Sequence, residues 1–345
     1  MTFYIKLTNR CNLQCKHCYN ARKSFDNGID MTADVLSSSA AYIYNITRGH
    51  CEFPHMIIFH GGEPHCAKNS VNIMNKFIDS YDWGDNVQFN ITTNLVHELT
   101  DDVISLYRRF TTGSDRFNSI GTSWDYDIRF RGNQEDLWKS NVKTLIDVGI
   151  DVQPIICVTQ QLIDWCPSVD AIKTNLFDMF SHLGIKSINF ERITSNGNAI
   201  INPVRANNYN VDNWLFQAYK VNEQVGFEIP LFDNLDDSIK HRGCKQDSCR
   251  RRMCTRCVRT INPDGTIAGC PNKPEILMGR LGKDGVFESY DSFNDEIKKE
   301  NHHPSRCLQC EMHDVCNAEC YQLEADLTGC PGLVSLIDYI QRKFV

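Results

Sequence analysis

The sequence predicts an α/β protein, in which helices cover a parallel sheet and a cysteine-rich part follows. From Phe3 to about residue 190, short apolar runs alternate with amphipathic stretches of helical length. Such alternation is typical of βα units with parallel strands. We count six units, whereas a closed barrel has eight. From about Leu235 helical periodicity fades and cysteines become frequent, which predicts a first domain over 1–234 and a smaller one over 235–345.

Each predicted strand is a short apolar run; the six are Phe3–Leu7, His55–Phe59, Val87–Thr92, Ser119–Trp124, Val152–Val158 and Ser187–Glu191. Helices are predicted over 33–47, 69–81, 99–110, 134–148, 168–183 and 207–223. Thr32 is the expected N-cap of the first helix, and Gly149 and Gly184 are expected C-caps. Active-site residues are expected in the loops after the strands, because the carboxyl ends of parallel strands meet at one edge.

Composition points to a globular protein without a nucleic-acid or membrane partner. The chain has 345 residues, of which 41% are hydrophobic and 23% charged, and a formal net charge of −7. No dense Lys/Arg run is present, and no run of 18 apolar residues predicts a membrane span. The N-terminus enters the first strand directly and is too short and polar for a signal peptide, so we expect a cytoplasmic protein.

The chain contains 17 cysteines, a high number for its length. Secretion would favour disulfides, but a reducing cytosol favours metal binding. The cysteines crowd near residue 15 and between residues 244 and 330. Four others, Cys51, Cys66, Cys157 and Cys166, are interpreted as small buried apolar residues.

The loop after the first strand reads Cys11-Asn12-Leu13-Gln14-Cys15-Lys16-His17-Cys18-Tyr19. Thiolates are soft ligands that suit iron–sulfur clusters, zinc or Cu(I). A cluster that only transfers electrons normally has four cysteine ligands, so three in one loop leave one iron of a [4Fe–4S] cluster open to a small molecule. Three buried cysteines or a zinc knuckle are the alternatives.

This C-x3-C-x2-C spacing, followed by the aromatic Tyr19, resembles the signature of the radical S-adenosylmethionine (SAM) enzymes. The resemblance implies a partial (βα)6 barrel of TIM type, open rather than closed. It also implies that the open iron chelates the amino and carboxylate groups of SAM. Reduction of the cluster then breaks a C–S bond and yields a 5′-deoxyadenosyl radical, which makes Cys11, Cys15 and Cys18 the catalytic residues.

Gly61-Gly62-Glu63-Pro64, after the second strand, looks like the GGEP motif of this family. Two glycines allow backbone to approach a ligand closely, and carbonyls with a carboxylate can accept hydrogen bonds from the SAM ammonium. An ordinary strand-to-helix turn is the alternative. Asn94, after the third strand, is another candidate for the SAM pocket, although asparagine there is often a turn residue.

Ser123-Trp124-Asp125 resembles the Ser-x-Asp element that contacts the SAM ribose in related enzymes. Arg129 and Arg131 follow, where the family often has an arginine on the SAM carboxylate, and a guanidinium is the natural partner of a carboxylate. Arg131 is preferred because a glycine follows it, as in relatives; a solvated surface charge is the alternative for either arginine.

Two groups of cysteines flank a predicted hairpin centred on Pro263-Asp264-Gly265 in the C-terminal part. They are Cys244, Cys249, Cys254, Cys257 and Cys270, then Cys307, Cys310, Cys316, Cys320 and Cys330. The arrangement closely resembles the SPASM domain, a C-terminal extension of radical SAM enzymes that holds two auxiliary [4Fe–4S] clusters. Zinc ribbons are the alternative.

By that resemblance one auxiliary cluster is held by Cys307, Cys310, Cys316 and Cys330. The other is held by Cys270, Cys320 and two of the 244–257 group, in which Cys254 is best placed while Cys249 and Cys257 compete. The implied cofactors are therefore SAM and three [4Fe–4S] clusters. A domain so poor in apolar residues is expected to depend on its metals for folding.

The resemblance covers residues 3–330 and implies a radical enzyme that abstracts hydrogen from an unactivated carbon. Members with this domain mostly act on peptides or proteins, so the leading expectation is maturation of a ribosomally made peptide by crosslinking, oxidation or epimerisation. One alternative is an anaerobic sulfatase-maturating enzyme, which makes formylglycine. Those enzymes carry an aspartate directly after the hairpin cysteine, and Cys270-Pro271 counts against this assignment. A radical SAM dehydrogenase or epimerase of a small molecule and a non-enzymatic electron carrier are further alternatives, although a carrier needs no SAM pocket.

The expected partners are a peptide or protein substrate and a flavodoxin- or ferredoxin-type reductant. The chain starts at its first barrel strand, which leaves no room for an N-terminal leader-binding domain, so a separate protein or the barrel surface would recognise a leader peptide. Glu191 and Arg192, at the end of the sixth strand, are candidates for gripping a peptide. An internal ion pair is the alternative for them.

Overall fold

The structure, a computed structural model, describes residues 1–20, 28–49, 54–111, 119–240, 254–302, 304–316, 320 and 322–343. Three of the cysteines discussed above, Cys51, Cys244 and Cys249, lie outside these residues.

Six parallel strands follow one another in chain order and form the framework of the site. They are β1 (Thr2–Thr8), β2 (His55–Gly61), β3 (Val87–Ile91), β4 (Ser119–Ser123), β5 (Asp151–Cys157) and β6 (Asn189–Glu191). Strands β1 to β3 pair in one sheet and β4 to β6 in a second. A parallel bridge between Thr92 and Gly121 joins the two sheets, so the strands curve around a common lumen. The predicted parallel α/β fold is confirmed, and the strands that the structure describes form no closed barrel.

Helices connect the strands and cover the outside of the sheet. They are α1 (Ala33–Thr47), α2 (Ser70–Ile78), α3 (Asp101–Thr111), α4 (Gln134–Asp147), α5 (Gln160–Trp165), α6 (Val169–Ala171), α7 (Asp178–His182), α8 (Asn208–Val225) and α9 (Pro230–Lys240). The side chain of Thr32 accepts a hydrogen bond from the Val35 N–H, as an N-cap does. The helix predicted over 168–183 contains a π-helical segment, Ile172–Phe177, between α6 and α7.

Alternate strand residues face the helices or the lumen, because side chains along a strand point to opposite sides. The core lies between sheet and helices. Phe59 of β2 meets Phe77 of α2 edge-on with 5.6 Å between ring centroids, and Phe190 of β6 meets Trp214 of α8 at 5.4 Å. The opposite faces are strongly polar; they carry Tyr4, Lys6, His60, Asn90, Cys157 and Glu191.

The C-terminal part adds four strands, β7 (Val258–Ile261), β8 (Thr266–Ala268), β9 (Leu277–Leu281) and β10 (Phe287–Ser289). The predicted hairpin joins β7 to β8, and Gly265 takes the positive φ of +82° that its turn requires. Strand β7 pairs in parallel with β1, from Thr2 opposite Val258 to Ile5 opposite Ile261. One sheet therefore runs from the barrel into the cysteine-rich part, and the expected boundary at 234/235 falls inside α9.

The remaining helices are α10 (Cys254–Cys257), α11 (Ser292–Asn301), α12 (Ser305–Leu308), α13 (His313–Cys316) and α14 (Val334–Lys343). Helix α14 returns to the barrel and packs on α8, where Tyr339 meets Phe216 at a centroid distance of 5.0 Å. Asp212 of α8 accepts a hydrogen bond of 2.9 Å from the Ser335 N–H in the first turn of α14. Among the described helices, none combines the length and apolar character needed to cross a bilayer.

Candidate active site at the mouth of the barrel

The N-terminal cysteine loop follows β1 at the carboxyl edge of the sheet. Cys15 is buried, whereas Cys11 and Cys18 are half-buried, and none of the three forms a disulfide. The Cys18 N–H donates to the Cys15 carbonyl at 3.3 Å, which tightens the loop. Burial raises the pKa of all three thiols, that of Cys15 to about 11. A thiolate there needs a cation or metal to stabilise it.

The GGEP loop after β2 is bonded directly to the cysteine loop. The Gly62 N–H donates to the Thr8 carbonyl at 2.9 Å, and the Glu63 N–H donates to the Arg10 carbonyl at 2.7 Å. A Cβ on Gly62 would lie 2.1 Å from the Arg10 carbonyl oxygen. We expected the glycines to admit a ligand; at Gly62 the close approach is made by the backbone of the cysteine loop itself.

The Glu63 carboxylate faces the loop after β3. It accepts hydrogen bonds from the Thr93 hydroxyl at 2.8 Å and from the Asn94 N–H at 2.6 Å. The His65 N–H adds a third donor at 3.2 Å. Burial raises the pKa of Glu63 to about 7 in spite of these donors. The carboxylate expected to meet the SAM ammonium is thus already bonded to three groups of the protein.

Asn94 ties the third loop to the first. Its side-chain amide donates to Asn12 Oδ1 at 2.7 Å and lies 3.8 Å from the sulfur of Cys11. Pro64 starts a short 3-10 turn, Pro64–Cys66. The loops after β1, β2 and β3 therefore form one hydrogen-bonded unit around the cysteines.

A segment after β6 lies over the cysteine loop, a contact that the sequence did not predict. The Asn198 N–H donates to the Cys18 carbonyl at 2.9 Å, and its side chain donates to the Cys15 carbonyl at 3.1 Å. A Cβ on Gly197 would lie 2.4 Å from the Cys18 carbonyl oxygen. The clue in the sequence is the run Ser195-Asn196-Gly197-Asn198 just after a strand end.

Asp125 is the buried anion of the site. Its Oδ2 lies 2.7 Å from Arg129 Nε and 3.3 Å from His17 Nε2, and its Oδ1 accepts the Cys157 N–H at 2.7 Å. Burial acts to raise the pKa of Asp125, but the Arg129 guanidinium and His17 outweigh it and hold that pKa below its ordinary value. Ser123, the other half of the Ser-x-Asp element, is half-buried at the end of β4.

The two candidate arginines, Arg129 and Arg131, differ in burial and in the groups that they contact. Arg129 is largely buried beside Asp125, and its charge lowers the pKa of the Cys15 thiol against the effect of burial. Arg131 is exposed and donates to Gln14 Oε1 at 2.5 Å on the outside of the cysteine loop. The arginine that reaches the lumen is Arg129, so the exposed position of Arg131 does not favour the assignment made from the sequence, which stays a prediction.

Tyr19 and Cys157 also border the lumen. The Tyr19 hydroxyl lies 3.2 Å from His60 Nδ1. Cys157, interpreted above as a small apolar residue, lies beside Asp125, and the potential ligand atoms of His17, Asp125 and Cys157 are within 4.8 Å of one another. Because the Arg129 guanidinium already contacts the same carboxylate, a metal cation is disfavoured at this trio.

The C-terminal cysteines converge in two places. A Cβ on Gly332 would lie 3.0 Å from the Cys316 sulfur and 3.4 Å from the Cys330 sulfur, which brings these two thiols together. The Cys310 N–H donates to the Cys307 carbonyl at 3.1 Å, so those two share one turn.

The second place surrounds Cys270. Cys254 and Cys257 stand at the two ends of the single turn α10. The side chain of Gln322, two residues after Cys320, lies against Cys270. The ligand grouping that the SPASM resemblance implies stays a prediction.

Glu191 and Arg192 diverge from the end of β6. Glu191 faces the lumen and is exposed to solvent there, and desolvation followed by the charge of Asp125 raises its pKa. Arg192 points to the C-terminal part, where it donates to Asn208 Oδ1 at 2.7 Å and to the Pro331 carbonyl. Arg192 therefore links the barrel to the segment around Cys330, and its role in binding a peptide stays a prediction that these contacts do not favour.

Comparison with known proteins identifies the fold. No protein-family model matches the chain, and no curated protein matches its sequence. Among solved structures, anSMEcpe with bound AdoMet (S-adenosylmethionine) superposes with a TM-score of 0.74 at 15% identity, over 100% of this chain and 96% of that chain. The same protein with AdoMet and the Cp18Cys peptide gives 0.72 at 15% identity, over 99% and 96%. SuiB of Streptococcus suis bound to S-adenosylmethionine gives 0.54 at 15% identity, over 93% and 73%.

These likenesses extend over both parts of the chain. The fold is that of AdoMet-bound structures, and the resemblance to radical SAM enzymes with a SPASM extension is confirmed at the level of fold.

Proposed function

We propose that this protein is a radical SAM enzyme that acts on a peptide. Cys11, Cys15 and Cys18 hold a [4Fe–4S] cluster, SAM is cleaved reductively, and a hydrogen atom is abstracted from the substrate. The observation that carries the proposal is the position of these three thiols at the mouth of an open parallel barrel, in a fold shared with AdoMet-bound structures.

A zinc ion bound by the three thiols would need their sulfurs close together. Zinc–sulfur bonds of about 2.3 Å in a tetrahedral site place the sulfurs about 3.8 Å apart. Within the described part of the chain, only His17, Asp125 and Cys157 bring three metal-ligand atoms within 4.8 Å of one another. Cys11, Cys15 and Cys18 do not form such a group, so their arrangement gives no support to a zinc site at this loop.

A bound cluster supplies an open iron for SAM and the electron that splits its C–S bond. The protein's own residues position SAM. Asp125, fixed by Arg129 and by the Cys157 N–H, accepts hydrogen bonds from the ribose, with Ser123 beside it. The guanidinium of Arg129 has N–H groups beyond the one on Asp125, so it replaces Arg131 as the partner of the SAM carboxylate.

The GGEP loop has two functions in the proposed site. Gly61, Gly62 and Pro64 supply backbone to the SAM ammonium, while Glu63 holds the loop after β3 in place through Thr93 and Asn94. Asn94 orients Cys11, and Tyr19 closes the lumen side of the cysteine loop.

The C-terminal cysteines hold two auxiliary clusters in the same proposal. Cys307, Cys310, Cys316 and Cys330 form one set. Cys254, Cys270 and Cys320 belong to the other, completed by Cys257 or Cys249. The convergence of Cys316 and Cys330 at Gly332 supports the first set. A flavodoxin- or ferredoxin-type protein supplies the electrons.

A peptide substrate is supported by the relatives and by the rim of the barrel. The matching structures include anSMEcpe with the Cp18Cys peptide and SuiB bound to the precursor peptide SuiA. In this chain Ile200 and Ile201 follow the segment that covers the cysteine loop, and they are 67% and 60% exposed. Exposed apolar side chains at the rim of a site suit a peptide better than a small polar metabolite.

The proposal is tested by co-expression with short open reading frames encoded beside this gene, followed by mass spectrometry of each peptide. A crosslink is expected to remove two hydrogens. An epimerisation leaves the mass unchanged in H2O but incorporates one deuterium in D2O. Unmodified peptides from all neighbouring frames, together with turnover of a small molecule, would contradict the peptide assignment.

A further inference from the structure

Lys6 is a buried cation in the lumen of the barrel. It lies in β1 opposite His60 of β2, and its side chain is almost completely buried, with the residue 1% exposed. Its ammonium is 3.4 Å from Asn20 Oδ1 and 5.0 Å from the centroid of the Tyr19 ring. In the part of the chain that the structure describes, no carboxylate lies within salt-bridge distance of it.

An ammonium without an anionic partner is costly to bury. Burial lowers the pKa of Lys6 to about 7. Negative charge acts in the opposite direction and raises this pKa; it comes from Cys18, Glu275 and Cys270. The first of these cysteines belongs to the N-terminal loop and the last to the hairpin. The contacts of the ammonium with Tyr19 and Asn20, which directly follow Cys18, place it beside the end of the N-terminal cysteine loop.

The other lumen groups near Lys6 offer it no negative charge. Tyr4 and Tyr19 are phenols whose pKa is raised by burial, and burial together with Lys6 lowers the pKa of His60 to about 3. These three side chains are neutral at pH 7. Apart from the Glu275 carboxylate, which is not within salt-bridge distance, the anions that can balance Lys6 are therefore cysteine sulfurs, which carry negative charge when they bind iron.

We infer that Lys6 is the buried counter-ion of the N-terminal iron–sulfur cluster and that it raises the reduction potential of that cluster. The inference rests on the proposed function, because it needs a cluster on Cys11, Cys15 and Cys18. When one electron passes from the external reductant to the cluster, the cluster gains one negative charge and the reductant is oxidised by one electron. An anionic cluster favours the protonated form of Lys6. The positive charge of that ammonium then stabilises the reduced cluster more than the oxidised cluster, and low dielectric strengthens the effect.

The experiment is a redox titration of anaerobically reconstituted protein with dithionite, followed by electron paramagnetic resonance. The signal of the N-terminal cluster is recognised because added SAM changes it. In the variant Lys6→Met, which keeps the shape and loses the charge, we expect the ratio of reduced to oxidised cluster at a fixed potential to fall about tenfold, or about 59 mV for a one-electron couple. Lys6→Arg should keep the wild-type value, as should Lys139→Met, which removes a surface charge paired with Glu135.

Each outcome separates the inference from the function on which it rests. A SAM-sensitive signal whose midpoint is the same in wild type and Lys6→Met overturns the role of Lys6 and leaves the proposed function standing. A wild-type protein that binds iron and sulfide but shows no SAM-sensitive signal overturns both. Should Lys6→Met not retain the cluster, Lys6→Gln is titrated in its place, and the same fall is expected.

Discussion

Arg129 Nε lies 2.7 Å from Asp125 Oδ2, and the two side chains are only 13% and 0% exposed. The pair joins the end of β4 to the loop that follows it and faces the cysteine loop. Removing one partner of such a pair leaves a charge without compensation in a desolvated place. This relationship makes Asp125 and Arg129 the first residues to test at the SAM side of the lumen.

Arg129→Met should destabilise the protein by about 3–5 kcal/mol, because the Asp125 charge is left unpaired. Arg131→Met, two residues away, is the matched control and should change stability by less than about 0.5 kcal/mol, because its side chain is exposed. Urea unfolding measures both. Equal effects of the two substitutions would show that the buried pair contributes nothing specific.

Cys15→Ala should abolish SAM cleavage and remove about a third of the iron and sulfide, because one of three clusters loses a ligand. Cys166→Ala is the control, since Cys166 is fully buried away from the loops of the site and belongs to neither cysteine group. Iron and sulfide analysis together with chromatography of 5′-deoxyadenosine measures both variants. Undiminished SAM cleavage by Cys15→Ala would exclude this loop as the catalytic site.

Gly62→Ala should lower SAM cleavage by at least about tenfold. A new Cβ would lie 2.1 Å from the Arg10 carbonyl oxygen, so the GGEP loop and the cysteine loop must separate, and misplacement by about 1 Å is costly in catalysis. Gly49→Ala, whose Cβ would have ordinary contacts of 3.7 Å or more, should leave the rate unchanged. If Gly62→Ala matched Gly49→Ala in rate, the contact between the loops would be irrelevant to activity.

The burial of His65 and His97 should make the free energy of unfolding fall in mild acid. Their rings stack with centroids 4.1 Å apart, and burial lowers the pKa of His65 to about 3 and that of His97 to about 4. The unfolded chain binds protons near pH 6.5 and the folded chain does not, so the stabilisation is complete above that pH and is lost as the pH falls.

When the pH falls from 7.5 to 5.5, each of these histidines should lower the free energy of unfolding by up to about 1.4 kcal/mol, because only the unfolded chain takes up the proton. His97→Gln should therefore reduce the slope of stability against pH, as measured by urea unfolding at several pH values. A slope identical to that of the wild type would contradict the assignment.

Local pattern was enough to predict the strands of the barrel and the hairpin. The alternation of apolar and polar residues is a property of a few neighbours, and Pro263-Asp264-Gly265 specifies its own turn. The parallel pairing of Val258 with Thr2 was not predictable in this way. It joins strands about 250 residues apart, and the local sequence of neither strand specifies which strand it pairs with.

In the loops of the site, the local sequence pattern does not predict which side chains are buried or which distant residues they contact. Arg129 and Arg131 have the same chemistry at adjacent places, and only the path of the loop decides which one is buried. Asn198 lies far from the cysteines in sequence and reaches them because β6 ends at the same edge as β1. The burial of Lys6 was not predictable, because a lysine in a short strand gives no sign of whether its side chain faces solvent or the lumen of the barrel.

The central claim is that the N-terminal thiols make a SAM-cleaving site. Its most direct test is to incubate anaerobically reconstituted protein with SAM and dithionite and to quantify 5′-deoxyadenosine. We predict formation of 5′-deoxyadenosine that requires reductant and is lost in Cys15→Ala. Protein with its full complement of iron and sulfide that yields no 5′-deoxyadenosine under these conditions would contradict the account and leave an electron carrier as the interpretation.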